Sequence, residues 1–367
     1  MQDDARARSL SERNQSLDAL RGLAASLVLV AHASQAYAPV ARQHGHDTWL
    51  GDATLGIDIG RTGVVLFFLI SGFTVANSLR QSASGVDGFA VRRFFRLYPL
   101  FWLSVLLSVV FFQSAQQFDW VAIVANLTML PELFGIAQMQ GVYWTLETEL
   151  ISYAIAALLL AAGWFNDARK LAVICCVLLM VFALMMFEVL PSARILQWQM
   201  LPHNLAIILW GSLFHLTHGA QQIGTAPPGD PTLRRITLLT AILLISPSCY
   251  ALLQYAMHGK PEHLRWGFAY PFAFALFLLT FFWIKKVPHW LVWLGQISYS
   301  SYLLHVFVIS QLLELLQKSS LAVGWVGVPL FVVMSLLATT AVAHLSFVAL
   351  EKPAMRWGKA LARRCRR

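Results

Sequence analysis

The residues best placed to do chemistry in this chain are basic ones set in apolar surroundings. Arg21 and His32 lie in LDALRGLAASLVLVAH, residues 17–32. At about 100° and 1.5 Å per residue, their spacing puts them on nearly one helix face, roughly 16 Å apart along the axis. An Arg inside a membrane span costs roughly 2.5–3.5 kcal/mol on the insertion scale, so a functional role is the first expectation. Arginine offers a planar fork of donors that suits phosphate, and imidazole is a base that works near neutral pH. One helix face can therefore hold an anion at one end and move a proton at the other.

Depth arguments bring in two more residues. His32 stands roughly 21 Å from the start of its helix, and His305, in GQISYSSYLLH, roughly 22 Å from the start of its own. Glu149, in VYWTLETELISY, enters from the opposite side and lies roughly 10 Å below that boundary. In a hydrocarbon core of about 30 Å all three share a level. A carboxylate beside an imidazole can hold it in one tautomer, so Glu149 is expected to orient His32 as a base. The competing reading is a neutral, satisfied histidine. For His305 that reading has ready partners in Tyr299, Ser300, Ser301 and Tyr302.

A second basic group is Arg92-Arg93-Phe94-Phe95-Arg96, where Arg93 and Arg96 share a helix face. With Arg21 they could hold the phosphates of an anionic donor. Alone, they could equally set topology and touch lipid head groups. Ser71-Gly72 interrupts the apolar run GVVLFFLISGF, residues 63–73, where close helix approach is the plainest expectation.

The elements that must position these residues are membrane helices. At 58% hydrophobic and 12% charged, the chain falls well below the roughly 25% charge of soluble domains. Apolar runs at about 17–38, 62–79, 97–112, 142–162, 171–190, 203–218, 236–256, 266–284, 290–316 and 325–349 predict ten spans. An all-α polytopic fold follows, with a polar tail at 1–16, the membrane domain at 17–350 and a basic tail at 351–367. Alternating the loops puts 21 of the 27 Lys and Arg on the side of the N-terminus. That bias places both termini in the cytoplasm, and it explains the net charge of +9 without nucleic acid. The four cysteines have neither zinc-ligand nor disulfide spacing, so no metal site is indicated. Trp49, Trp120, Tyr143, Trp144 and Trp198 are expected to form an aromatic outer surface, suited to sugar stacking or to a membrane interface.

Taken together, LDALRGLAASLVLVAH, GVVLFFLISGF, FAVRRFFRLYPLFW, VYWTLETELISY, LGQISYSSYLLH and ALEKP resemble the acyltransferase-3 family of integral membrane O-acyltransferases. The resemblance implies that Arg21 and His32 match the family's Arg-x10-His pair, whose histidine is essential for transfer. It implies that Arg93 and Arg96 are its RxxR pair, associated with acyl-CoA. Ser71, Gly72 and Phe73 match its SGF element, Glu149 its acidic residue after Trp144, and Glu351 its acidic residue near the C-terminus. Tyr153 and His305 are carried over as residues near the site. Val65 stands where the family often has Asp. Thr145 and Glu147 replace commoner serines, and Ser152 an aromatic residue, so Glu147 and Glu149 compete for the acidic role.

The function implied is transfer of an acyl group, acetyl being expected, to a hydroxyl of an extracytoplasmic carbohydrate such as O-antigen or exopolysaccharide. Acyl-CoA would be a cytoplasmic co-substrate, with no tightly bound cofactor. The roughly 16 Å between Arg21 and His32 is of the order of an extended pantetheine arm. The expected setting is a multi-pass protein of the inner membrane in contact with its lipids. A proton-coupled transporter using the buried His and Glu is the alternative from another class.

Overall fold

The computed structural model of the protein describes residues 2–80, 85–111, 118–189, 196–219, 230–284, 286–318 and 325–364. Side chains of 2–14, 80 and 196–198 lie outside that description. Among the described residues every regular element is helical. In chain order these are α1 (Gln2–Gln43), α2 (Trp49–Ile57), α3 (Ile59–Arg80), α4 (Gly85–Phe111), α5 (Trp120–Leu127), α6 (Tyr143–Ala161), α7 (Ala168–Met186) and α8 (Leu196–Phe214). They continue as α9 (Pro231–His258), α10 (Pro261–Phe282), α11 (His289–Gln296), α12 (Ser298–Gln317), α13 (Val328–Ser346) and α14 (Lys352–Arg364). Nine helical segments among the described residues are long and apolar enough to cross a membrane. The tenth predicted span falls on α8, which packs between α3 and α7.

Helix α8 is the centre of the bundle, because every residue from His203 to His215 is buried. Apolar side chains all round its circumference leave it no face for lipid or water. Its crossing with α3 uses two glycines. A Cβ on Gly72 would lie 1.7 Å from the carbonyl oxygen of Ile208, and one on Gly211 would lie 2.4 Å from that of Leu69. The backbones therefore touch directly, as small residues permit in membrane helices. Phe73, next in the chain, turns into an aromatic cluster with Phe214, His215, Phe277 and Phe281.

Several boundaries differ from the expectation drawn from apolar runs. Residues 2–16, expected as a tail, continue α1, since Ala, Arg, Gln, Glu and Leu favour helix without needing an apolar face. The loop expected at 39–61 contains α2. Helix α4 begins at Gly85, so the arginines lie inside a helix rather than at its start. That first part is seated on α14, where Gly358 meets Phe95 and where Ala354 and Ala362 are also buried. Run 290–316 is two helices, α11 and α12, separated at Ile297. Tyr143 is buried at 1% exposure, with its hydroxyl 2.8 Å from Ser104, and does not join an outer aromatic surface. Trp49 and Trp120 are exposed, Trp144 is half-buried, and the Trp198 side chain lies outside the described residues. Also outside them are residues 220–229, in the connection between the expected spans 203–218 and 236–256, and the last three residues, 365–367.

The α3–α8 contact is directly testable. Gly72→Leu should cost about 3 kcal/mol or more, the upper end for overpacking, because the atom it strikes is backbone. A thermal-unfolding scan of detergent-solubilised protein should show a lowered midpoint or no folded fraction. Gly56→Ala, which meets nothing within 4 Å, should leave the midpoint unchanged.

Candidate active site

Two cavities lie along α1. The first is narrow, about 80 Å³, and is lined by Arg21, Arg93, Arg96, Ser71, Thr74, Glu149 and Tyr299 among others. The second, about 480 Å³, is lined by His32, Gln35, Asp58, Arg61, Trp144 and aliphatic residues. Arg21 and His32 thus serve different cavities from one helix. Ligand sites of a few hundred Å³ with a few convergent polar groups are the usual form of a binding site.

The three arginines come together as the sequence pattern suggested. Arg21 is placed by α11, which approaches so closely that a Cβ on Gly295 would lie 1.8 Å from the carbonyl oxygen of Asp18. Arg21 Nη1 donates to Asp18 Oδ1 at 2.7 Å and Nη2 to Thr74 Oγ1 at 3.4 Å. Arg93 donates to Ser78 Oγ at 3.4 Å and lies 4.8 Å above the Tyr153 ring. Arg96 has no hydrogen bond among the described residues, so its donor fork is unspent. Of the three arginines only Arg21 is in an ion pair within 4 Å among the described residues, and such a group favours an anion with several oxygens.

Glu149 belongs to this arginine end and not to His32. It accepts from Ser71 Oγ at 2.8 Å and from the Tyr153 hydroxyl. The expectation that Glu149 orients His32 is therefore corrected. The reason is one helical turn. Along α6, Trp144 borders the cavity of His32, and Thr145 already borders that of the arginines. Glu149 lies four residues further on, about 6 Å along the axis toward the arginines. Glu147 faces elsewhere, accepting from Gln138 at 2.9 Å, and it does not contact His32 either.

The partner of His32 is His305. His32 Nδ1 and His305 Nε2 are 2.7 Å apart, with the rings only 3° from parallel. The other nitrogen of His305, Nδ1, is 2.6 Å from the carbonyl oxygen of Tyr302. A carbonyl only accepts, so His305 Nδ1 carries the proton. In neutral His305 the Nε2 is then a bare acceptor, and His32 Nδ1 must donate to it. Neutral His32 is left with an unprotonated Nε2, and the side chain borders the larger cavity. A relay of two neutral imidazoles ending on a carbonyl thus fixes the tautomer that a general base or a nucleophile requires.

Two residues of the larger cavity were not singled out from the sequence. Asp58 ends α2 in a left-handed conformation, φ 49°, and starts α3. Its carboxylate accepts from Arg61 backbone N at 3.0 Å and from Arg61 Nε at 2.8 Å, while the guanidinium lies 3.9 Å above the Trp266 ring. Asp three residues before Arg at the head of an apolar run was the available signal. Of the remaining candidates, Gly72 and Phe73 are occupied in packing, and Trp144 meets Phe68 edge-on while bordering the larger cavity. Glu351 is buried and accepts from Ser300 Oγ at 2.7 Å, outside both cavities.

Comparison with known proteins gives two matches. A family model described as an acyltransferase domain, Acyl_transf_3, covers residues 14–345. Acyltransferase MdmB of Streptomyces mycarofaciens is 33% identical over 172 residues, which are 44% of this chain and 41% of that protein. The chain thus matches about two fifths of that relative's length. No solved structure matches.

The tautomer assignment predicts unequal reactivity. Diethyl pyrocarbonate attacks an unprotonated, accessible imidazole nitrogen. Peptide mapping after brief exposure of the folded protein should find His32 modified and His305 intact, since His305 is 1% exposed with both nitrogens engaged.

Proposed function

Since the chain belongs to the Acyl_transf_3 family of acyltransferases, we propose that it moves an acyl group, acetyl in the first instance, from cytoplasmic acyl-CoA to a hydroxyl of a carbohydrate on the far side of the membrane. The observation that carries this reading is the pair of adjoining cavities, one with three arginines and the other bordered by His32. Arg21, Arg93 and Arg96 hold the phosphates of the donor, on the side to which the Lys and Arg bias assigns both termini. The acyl end points along α1 toward His32. An acceptor sugar enters the larger cavity, where Trp144 offers a stacking surface and Gln35, Asp58 and Arg61 offer hydrogen bonds. The setting is the inner membrane, with lipid around the bundle.

The chemistry follows from the tautomer. His32 Nε2 takes the proton of the acceptor hydroxyl as its oxygen attacks the thioester carbonyl. The carbon–sulfur bond breaks, and the departing CoA thiolate takes that proton from the imidazolium. The products are an ester and CoA. In a covalent acyl-histidine relay the same nitrogen acts as nucleophile. Glu149, held by Ser71 and Tyr153, limits the positive charge of the arginine end and keeps the side chains of the slot in place. Family membership favours transfer over proton-coupled transport, and so does a cluster of arginines that transport of a proton does not call for.

Mass spectrometry of surface glycans from cells carrying the wild-type chain or His32→Ala is the test. A mass difference of one acyl group per repeat should vanish in the mutant, because removing a general base costs about 10²–10⁴-fold in rate. Retained acylation in the mutant would sink the assigned role. In purified protein Arg93→Ala should raise the KM for acetyl-CoA roughly tenfold or more, the scale of one hydrogen bond to a charged group, with a smaller change in kcat. Glu149→Gln should lower activity more than Glu147→Gln; the opposite ranking would mean that the acidic group required faces the Gln138 side of α6.

A further inference from the structure

When His32 Nε2 takes a proton, or an acyl group on the covalent route, its ring becomes a cation. In surroundings with little water such a cation is costly unless a negative charge lies near it. The relay does not supply that charge, because neutral His305 and the Tyr302 carbonyl carry none. Among the elements that border the cavity of His32, α6 contributes Trp144 and no ionisable side chain, and α12 contributes Tyr302. The charged side chains come from the head of α3, as Asp58 and Arg61.

That head is pressed onto the turn of α1 that carries His32. A Cβ on Gly60 would lie 3.1 Å from that of Ala31 and 3.9 Å from Asp58 Oδ1, so the carboxylate sits near Ala31, the neighbour of His32 in the chain. Arg61 borders the same cavity, yet Asp58 is the charged group whose field reaches His32. A carboxylate in such a place needs a partner of its own. Arg61 supplies it through its backbone N and its Nε. The guanidinium is in turn held by α10, through the Trp266 ring and Tyr270.

We propose that Asp58 is the counter-charge of the His32 imidazolium, stabilising that cation across the cavity without a hydrogen bond to the ring. Arg61 is the positioning residue that keeps the carboxylate ionised and in place. The inference rests on the reading of His32 as the base or nucleophile of acyl transfer, and it serves both routes, since each passes through a positively charged ring.

The pH dependence of diethyl pyrocarbonate modification of His32 tests this without the acceptor, read by peptide mapping of purified protein in nanodiscs. The reagent attacks the unprotonated ring, so the pH of half-maximal rate reports how readily the imidazolium forms. Asp58→Asn keeps the size of the side chain and suits a left-handed backbone. It should lower that midpoint by about one pH unit or more, the lower end for the loss of an opposite charge close to a titrating group. Arg61→Gln, which removes the offsetting cation, should raise it. Opposite shifts identify a charge effect, because a merely loosened α3 would move both variants the same way. A midpoint that stays put, or moves with the wrong sign, in whichever variant folds would overturn the counter-charge and leave the transferase reading standing. That reading fails separately, through acylation retained in His32→Ala cells, whatever the midpoints show.

Discussion

The 2.7 Å hydrogen bond between His32 and His305 is the constraint around which the molecule is arranged. It joins residues 273 positions apart, from the first helix and one of the last. In surroundings with little water, a polar side chain left without a partner is costly, so each imidazole must find its hydrogen bond inside the protein. Ending the chain of donors on the Tyr302 carbonyl removes any choice about where the protons sit. One bare nitrogen remains, on the side chain that borders the larger cavity. A carboxylate partner would have placed a charge against His32; an imidazole and a carbonyl hold the same tautomer without one.

The rest of the bundle keeps the arginine cluster apart from that relay, while the paired Asp58 and Arg61 are the charged groups that share the cavity of His32. The arginines gather at the other end of α1, where Asp18, Glu149 and the Tyr153 ring lie among them. Close backbone crossings carry this arrangement. Gly295 brings α11 against Asp18 beside Arg21, and Gly72 and Gly211 bring α3 against the buried α8. Ser71 and Gly72 are neighbours with separate tasks: one hydroxyl turns to Glu149, while the next residue gives up its side chain to the crossing.

Much of this was legible in the sequence, where physics acts along one helix. Apolar runs located the long helices, and helical periodicity put Arg21 and His32 on one face of α1 and Arg93 and Arg96 on one face of α4. What lay between helices was harder to read. Depth alone matched Glu149 to His32, but depth is uncertain by about one turn, and little more than one turn separates Trp144, at the cavity of His32, from Glu149 among the arginines. His305 looked satisfied by its own neighbours, and one of them, the Tyr302 carbonyl, does take its Nδ1 proton; the other nitrogen was free for His32. Helix α4 starts earlier than its apolar run because α14 packs against that first part, where Gly358 meets Phe95. Asp58 and Arg61 escaped notice because they stand at a helix start, outside every apolar run.

The central claim is that a donor on one face of the membrane meets a base that serves an acceptor on the other. Sided membrane vesicles from cells expressing the protein test it most directly. Labelled acetyl-CoA, which does not cross the bilayer, would be added to inside-out and to right-side-out preparations. The account predicts that label enters glycan only in inside-out vesicles, and that the product resists added glycosidase until detergent opens the membrane. Labelling in intact right-side-out vesicles, or product exposed on the same face as the donor, would contradict it.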